Sequence, residues 1–453
     1  MKRLFLSVLA VNLAVGTAPR VEAQTAAPAQ PNANQADDQD LNAAAALLRE
    51  GRTDEAFRKV QEVVKRNPNL KPPRLILAHL AMRVIPQQAR GFLEQAAAET
   101  PDHPDIYLTN AELSFNESRL SDAILNSMKA LELANAPKWN AEQRTVFQKS
   151  AHSILAGLYE RRKDWNNARA HLAAWLALDP KNGSARERYG AVLFRLGQVD
   201  EAQKEFQLAA KDDSTVMPAT VLMARQYMNR NDAKSDDMKR AGQFFESAVN
   251  AEPNSARVHI AYADYLLQLG NAEAARVHAD MAVKLDPKNQ EARYFQGVVA
   301  RMSKDFATAE KIFQELYTAS PNNINAANQL ALVLVESQDP ANRRRGLEIA
   351  QANGRQYPQN PNILSTLAYC FYRNGNASEA RKILDAILNG VPVPPPDTAY
   401  YIALILAEDK QALDETKNVL KAALETPGAF FYRKEAQAMY DRLNASKPME
   451  KGK

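Results

Sequence analysis

The sequence predicts an all-α chain made of one repeated helix pair, on three observations. Glycine is scarce, at 16 of 453 residues, and alanine is common, which favours helices because alanine has the best helix propensity and glycine nearly the worst. Alanine and proline recur together at a fixed separation. Small and large apolar residues hold constant positions between these markers. We therefore expect one elongated helical solenoid, although the length alone would suggest two to four domains.

The N-terminus has the features of a secretory signal. Lys2 and Arg3 form a charged start, and residues 4–15 form a short apolar stretch. This stretch is too short for a membrane span, which needs about 20 residues, but it suits a signal sequence. We expect residues 1–23 to be the signal peptide and Ala23 to be the last residue removed. The mature chain is then periplasmic or secreted, and an uncleaved anchor is the alternative.

Residues 24–38 contain mainly Ala, Pro, Gln, Asn and Asp and have no apolar period. We interpret them as a flexible low-complexity linker. The formal net charge of the whole chain is only +4. No nucleic-acid partner is expected, because such binding needs a concentrated basic surface, and membrane association is at most peripheral.

The pentapeptide LDPKN occurs at residues 178–182 and again at 285–289. In both places an alanine precedes the proline at the same separation, as Ala168 precedes Pro180 and Ala275 precedes Pro287. Further Ala–Pro pairs with this spacing follow one another along the chain. Their base period is about 34 residues, a length typical of a repeated helix pair. The two pentapeptides are therefore three periods apart, with a short insertion near 231–237.

A helix–turn–helix period of this length resembles the tetratricopeptide repeat family. In the unit that begins at Gln290, the family's small, apolar, alanine and aromatic positions are held by Gly297, Ala300, Ala309 and Phe313. The resemblance implies a right-handed superhelical α-solenoid of about eleven repeats over residues 39–428. A capping helix at 429–444 and a disordered tail at 445–453 complete the expected organisation.

The recurring spacing of small and special residues has a physical reason that does not depend on the family. Small residues allow two helices to approach closely, and large ones fill the remaining space. Gly51 and Gly197 lie where a first helix must end in a left-handed turn. Asp54 and Asp200 follow at the start of the second helix, where each can cap it or favour its dipole.

Three segments depart from the period. Residues 139–162 keep helical periodicity through an insertion, so we expect a long first helix there. The polar residues 231–237 are interpreted as a protruding loop. The proline-rich residues 391–397 predict a stiff extended segment before the last unit.

Sequence motifs of catalysis are absent. The chain has no glycine-rich phosphate loop and no G-x-S-x-G elbow. Its six histidines lack the i, i+4 spacing with glutamate of a helical zinc site, so they are interpreted as scattered, with no metal and no cofactor predicted. Cys370, the only cysteine, falls at a packed helical position and excludes an intramolecular disulfide. We expect a protein that is not an enzyme.

Function is then expected on the first helices, which line the concave groove in proteins of this family. Arg and Tyr often anchor interfaces, and Asn or Gln can bond a peptide backbone. The candidate partner-binding residues are Arg225, Asn229, Arg257, Asp264, Gln268, Tyr294, Arg301, Asn325, Asn328, Tyr369, Tyr372 and Arg373. Simple solvated helix faces are the alternative for each.

The leading functional hypothesis is a non-enzymatic scaffold of the bacterial cell envelope that binds protein or peptide partners along this groove. Secretion, polysaccharide export and envelope assembly are the pathways in which similar exported repeat proteins serve. The alternative is a glycan-binding solenoid. That alternative requires Tyr294, Tyr369 and Tyr372 to be exposed and clustered, because sugars stack on aromatic faces.

Overall fold

The structure is a computed structural model, and it describes residues 31–230, 235–390, 394–408, 412–426 and 430–445. Within these ranges the regular elements are 23 α-helices and one short 3₁₀ turn, and no strand occurs. The all-α prediction is confirmed. Helices that are neighbours in the sequence pack as hairpins, and the hairpins stack on one another within each part of the chain.

The chain divides into two compact units. Among the described residues, the N-terminal unit contains those up to Ala219, and the C-terminal unit contains those from Thr220 onward. The helices of the N-terminal unit are α1 (Pro31–Arg49), α2 (Thr53–Arg66), α3 (Pro73–Val84), α4 (Ala89–Glu99), α5 (Pro104–Asn116), α6 (Leu120–Ala134), α7 (Ala141–Arg161), α8 (Trp165–Leu178), α9 (Gly183–Arg195) and α10 (Val199–Asp212).

The C-terminal unit begins with a helix whose first residue lies at the boundary between the units. Its helices are α11 (Ala219–Met228), α12 (Ser235–Ala251), α13 (Ala256–Gln268), α14 (Ala272–Leu285), α15 (Gln290–Met302), α16 (Phe306–Ala319), α17 (Ile324–Leu334), α18 (Pro340–Gln356), α19 (Pro361–Arg373), α20 (Ala377–Gly390), α21 (Pro396–Leu406), α22 (Leu413–Glu425) and α23 (Arg433–Ala445).

Close approach of the two helices in a pair depends on the predicted small residues. A Cβ atom added at Gly190 would lie 2.7 Å from the Phe206 ring, and one added at Gly297 would lie 2.8 Å from the Phe313 ring. Both phenylalanines are fully buried. A glycine on the first helix therefore makes room for an aromatic ring on the second, as the sequence predicted.

The turns within the pairs confirm the interpretation of the glycines. Gly51 and Gly197 have φ of 77° and 83°, in the left-handed region that glycine adopts without steric cost. The sequence left open whether the following aspartates cap the second helix or only interact with its dipole, and the structure places them for interaction with the dipole. Asp54 and Asp200 lie in the first turns of α2 and α10, and neither side chain caps its helix.

The insertion at 139–162 forms the long first helix that was predicted. α7 has 21 residues, and a capping box between Asn140 and Gln143 fixes its beginning. The loop predicted at 231–237 is shorter than expected, because α12 already begins at Ser235. Asp237 lies in the first turn of α12 and pairs with Arg230 at 2.9 Å. Residues 231–234 lie outside the described ranges.

Several predicted boundaries need correction, the first at the N-terminus. The linker interpretation of residues 24–38 is wrong in its second half, since α1 begins at Pro31. Arg66 of α2 explains this difference, because it pairs with Asp37 at 2.8 Å and with Asp40 at 2.7 Å and so attaches the preceding helix. The predicted signal peptide and residues 24–30 lie outside the described ranges.

The second correction concerns the C-terminus. The closing helix α23 begins at Arg433, later than predicted, because Phe430–Tyr432 form a turn that packs against the preceding helices. The helix ends at Ala445, which was assigned to the tail, and residues 446–453 lie outside the described ranges. The extended proline segment was also predicted too long, since Pro396 and Asp397 already belong to α21.

Candidate partner-binding face

The first helices of the C-terminal unit pack on one another as well as on their hairpin partners. α13 contacts α15, α15 contacts α17, α17 contacts α19, and α19 contacts α21. Together they form one continuous surface, which we call the first-helix face. The face is where the candidate residues of α13, α15, α17 and α19 lie. Arg225 of α11 lies beside it, since its charge acts on the carboxyl of Asp264.

The early part of the face is polar and open to solvent. Arg225, Asn229, Arg257 and Asn325 are exposed. Gln268 is half-buried and donates a hydrogen bond from Nε2 to Oδ2 of Asp264, at 3.1 Å. Burial raises the pKa of Asp264, and the nearby Arg225 acts in the opposite sense. Burial therefore outweighs the hydrogen bond that this carboxylate accepts from Gln268.

Tyr294 and its neighbours on α17 form the middle of the face. The amide Nε2 of Gln329 donates to the Tyr294 hydroxyl at 3.5 Å. Oε1 of Gln329 and Oδ1 of the adjacent Asn328 are buried, and neither has a hydrogen-bond partner among the described residues. Two buried acceptors without donors are unusual, because an unmade hydrogen bond costs about 1–3 kcal/mol per group.

Arg301 is the most unusual side chain of the face. It is only 6% exposed, and its guanidinium lies 4.3 Å from the ring centre of Phe431. Its Nε and Nη1 atoms have no hydrogen-bond partner among the described residues. An arginine that is nine-tenths buried normally has its donors paired with a carboxylate or carbonyl groups. Two N–H donors of Arg301 are therefore buried by packing without a hydrogen-bond partner among the described residues.

Glu336 organises the other end of the face, and sequence reasoning missed it. This residue follows the end of α17, and its carboxylate accepts hydrogen bonds from the hydroxyls of Tyr369 and Tyr432 and from Nη1 of Arg373. The bonds from Tyr369 and Arg373 measure 2.7 and 2.8 Å. Tyr369 is 2% exposed and stacks on Tyr401 at 4.1 Å between ring centres. Burial beside Glu336 raises the pKa of Tyr369.

The partner of this cluster is the turn Phe430–Tyr432, which we call the aromatic closure. Its three side chains are buried among the last helices. The backbone N–H groups of Phe431 and Tyr432 donate to Oδ1 of Asp397 at 3.0 and 3.4 Å. Lys304 forms an ion pair with Glu435 of α23, which joins the closure to the end of α15. The closure thus packs against α19 and α21 and reaches the end of α15 at Arg301 and Lys304.

Three candidate residues therefore have a different setting from the one predicted. Tyr369 and Arg373 are engaged with Glu336, so they are not free partner-binding residues. Tyr372 is half-buried among the last helices, and burial raises its pKa. Two features of the sequence could have indicated this cluster. One is the aromatic run FFY at 430–432, and the other is the acidic residue that ends the apolar stretch LALVLVE at 330–336.

Cys370 has the packing role that was predicted. Its side chain is fully buried, and burial raises the pKa of the thiol, which opposes formation of the reactive thiolate. No helix within the described ranges is both long enough and apolar enough to cross a membrane.

The architecture defines the class of the protein: an α-helical repeat protein whose helix pairs are stacked through their first helices. Family models described as tetratricopeptide repeat match residues 161–216 and 260–324, one stretch in each unit. These two stretches of the chain contain tetratricopeptide repeats. Repeats of this kind present extended surfaces that bind protein partners.

Two relatives from Pseudomonas are similar to the chain. The chain is 25% identical over 205 residues to the TPR repeat-containing protein PA4667 of Pseudomonas aeruginosa, which covers 45% of this chain and 34% of that protein. It is 24% identical over 279 residues to cellulose synthase operon protein C of Pseudomonas fluorescens, which covers 59% of this chain and 22% of that protein. The chain therefore spans about a third or less of the relatives it matches.

Among solved structures, the crystal structure of yeast Tom70 is similar to this chain. The alignment covers 91% of this chain and 96% of the Tom70 chain, at 14% sequence identity and a TM-score of 0.38.

Proposed function

We propose that this chain is an exported, non-enzymatic scaffold that binds protein or peptide partners on the first-helix face between α13 and α17. The observation that carries the proposal is the set of buried polar atoms without partners on this face: Nε and Nη1 of Arg301, Oδ1 of Asn328 and Oε1 of Gln329. These atoms include both donors and acceptors. A polypeptide backbone supplies the complement of both, in its carbonyl and N–H groups.

The fold supports an interaction role over catalysis. Tetratricopeptide repeats expose a long surface built from side chains on rigid helices, which suits recognition of another chain. The one thiol is buried and held in its protonated form. Charged and aromatic anchors at the centre of such a face, here Arg301 and Tyr294, are the side chains that dominate binding energy at protein interfaces.

The envelope location rests on the N-terminal sequence. Residues 1–23 have the charged start, apolar stretch and cleavage motif of a secretory signal. Of the three envelope pathways, polysaccharide export agrees with the name of one relative, cellulose synthase operon protein C. N-terminal sequencing of the native protein tests this part. A chain that begins at Gln24 supports export, and a chain that retains residue 1 contradicts cleavage.

The positions of the tyrosines do not favour the alternative of glycan binding. It requires three exposed and clustered tyrosines, whereas Tyr369 is 2% exposed and its ring faces are covered by the aromatic cluster that includes Tyr401. A sugar ring cannot stack there unless the last helices separate. Tyr294 is half-buried, which leaves no platform of several exposed rings.

Site-specific photo-crosslinking in the native envelope tests the proposed face. A photoreactive residue at Asn325 lies on the exposed part of α17, and one at Lys311 lies on the exposed part of α16, a second helix, as the matched control. We expect Asn325 to give a discrete protein adduct that Lys311 does not give, and Arg301→Met to abolish that adduct. Equal adducts at both positions, or an adduct unchanged by Arg301→Met, contradict the proposal.

A further inference from the structure

Four of the six histidines form two pairs, which corrects the interpretation that they are scattered. Nδ1 of His152 in α7 lies 3.0 Å from Nδ1 of His171 in α8. Nδ1 of His259 in α13 lies 2.9 Å from Nδ1 of His278 in α14. Each pair joins the first and second helices of one hairpin, and the two pairs belong to different units.

The two pairs occupy the same place in the repeat. The histidines of each pair are 19 residues apart in the sequence. His152 and His259 are as far apart in the sequence as the two LDPKN pentapeptides, and so are His171 and His278. The arrangement therefore occurs twice at one register of the fold. This shared spacing is the sequence signal that could have revealed the pairs.

The hydrogen bonds of His259 determine which of its nitrogens can bind an ion. Its Nε2 lies 2.9 Å from the carbonyl oxygen of Pro253. A carbonyl only accepts hydrogen bonds, so Nε2 carries the proton of the neutral ring and Nδ1 presents its lone pair to His278. A ring N–H held by a backbone carbonyl is the usual outer contact of a metal-bound histidine.

The separation of the paired nitrogens fits two ligands of one ion. With bonds of about 2.0 Å, two imidazole nitrogens lie roughly 2.8 Å apart at adjacent corners of a square site and roughly 3.3 Å apart in a tetrahedral one. The observed 2.9 and 3.0 Å fall near the square value. Square and tetragonal geometry with nitrogen ligands is typical of Cu²⁺ and Ni²⁺.

We propose that each histidine pair is a two-imidazole site for a divalent transition-metal ion, with Cu²⁺ as the best-fitting class. The ion binds both Nδ1 atoms and links the two helices of a hairpin. In the second pair His278 moves its proton from Nδ1 to Nε2, so binding to the neutral rings requires no net loss of a proton. No cluster of three metal-ligating side chains exists among the described residues, so water completes the coordination.

The electrostatic setting favours metal over protons. Burial lowers the pKa of His152 and of His278 from 6.5 to about 4, and it also lowers the pKa of His171. Protons therefore compete weakly for these rings at neutral pH. The rings that face the pairs are those of Tyr159, which stacks on His171, and Tyr262, which lies against His278.

Titration of the full chain with Cu²⁺ alone, without an affinity tag, tests the proposal. Calorimetry and electron paramagnetic resonance should give two equivalents, each with nitrogen ligands. His171→Gln and His278→Gln should each remove one equivalent, and the double variant should remove both. His79→Gln is the matched control, because His79 bonds to Thr109 and not to a second histidine. Circular dichroism verifies that each variant is folded.

Two results overturn the proposal. One is a wild-type chain that binds no Cu²⁺ at micromolar concentrations. The other is a folded double variant that keeps the same number of nitrogen-ligated equivalents, which places the metal on other residues. Partner binding on the first-helix face is measured separately, so either outcome leaves the proposed function untouched.

Discussion

The two ends of the first-helix face in the C-terminal unit differ although the same repeat register builds both. Between α13 and α17 the polar groups of Arg301, Asn328 and Gln329 are buried without partners. Between α19 and α21 the polar groups of Tyr369 and Arg373 are bonded to Glu336 and packed beside the aromatic closure. One end is arranged for an external partner, and the other is already occupied by the chain itself.

This difference shows what a repeat register can and cannot predict. The register places a residue on the first-helix face from its position in the repeat. It does not predict what covers that residue. The bond from Tyr432 to Glu336 spans 96 residues of sequence, and the closure that makes it belongs to no repeat.

The largest effect is expected from Glu336→Ala. Removal of this carboxylate leaves two buried tyrosine hydroxyls and Arg373 without their acceptor. The free energy of unfolding should fall by about 3–5 kcal/mol, as for other buried pairs broken on one side. Chemical denaturation measures the change. Glu348→Ala, at an exposed position of α18, is the control and should change it by less than about 0.5 kcal/mol. If the two substitutions lowered the free energy of unfolding equally, the hydrogen bonds of Glu336 to the closure would add nothing to stability.

Two arginines of the face provide the sharpest comparison. Arg373→Met breaks a hydrogen bond to a charged partner and should cost about 1.5–3 kcal/mol. Arg301→Met removes a buried charge without a hydrogen-bonded partner, and methionine keeps contact with the Phe431 ring. The charge of Arg301 also acts on the buried carboxyl of Asp397, so loss of this attraction offsets part of the gain. The stability of this second variant should therefore change less than that of Arg373→Met. Denaturation of the two variants side by side tests the order. A larger cost at Arg301 would mean that its donors are already satisfied within the protein.

The histidine pairs predict an acid-dependent loss of stability. His152 and His278 titrate with a pKa of about 4 when folded and near 6.5 when unfolded, so the unfolded chain binds more protons between these values. The free energy of unfolding should fall as the pH decreases from about 6.5 towards about 4 and should change little above that range. The variant His152→Gln/His278→Gln should show a smaller fall in its urea midpoint. An identical pH profile in both proteins contradicts the effect.

The smallest effect on stability is expected at the exposed candidates. Asn325→Ala and Arg225→Ala should change the free energy of unfolding by less than about 0.5 kcal/mol, because neither side chain is buried. Their contribution should appear only in partner affinity. A loss of stability above about 1 kcal/mol would place these residues in the fold's own contacts and remove them from the partner-binding face.

Local rules of helix pairing made most of the fold predictable. The glycines at 51 and 197, the small residue at 190 and the long helix α7 all follow from short-range sterics and spacing. The linker boundary was wrong because ion pairs from Arg66 extend α1 by contacts outside its own sequence. The site was predictable only in part, because Glu336, Asp397 and Phe431 come together through contacts between distant segments.

Amide hydrogen exchange with and without the crosslinked partner tests the central contrast most directly. Partner binding should slow exchange in α15 and α17 and leave α19 and α21 unchanged, because the closure already protects those helices. Protection confined to α19 and α21, or to the second helices α14, α16 and α18, would contradict the assignment of the open part of the first-helix face as the partner-binding surface.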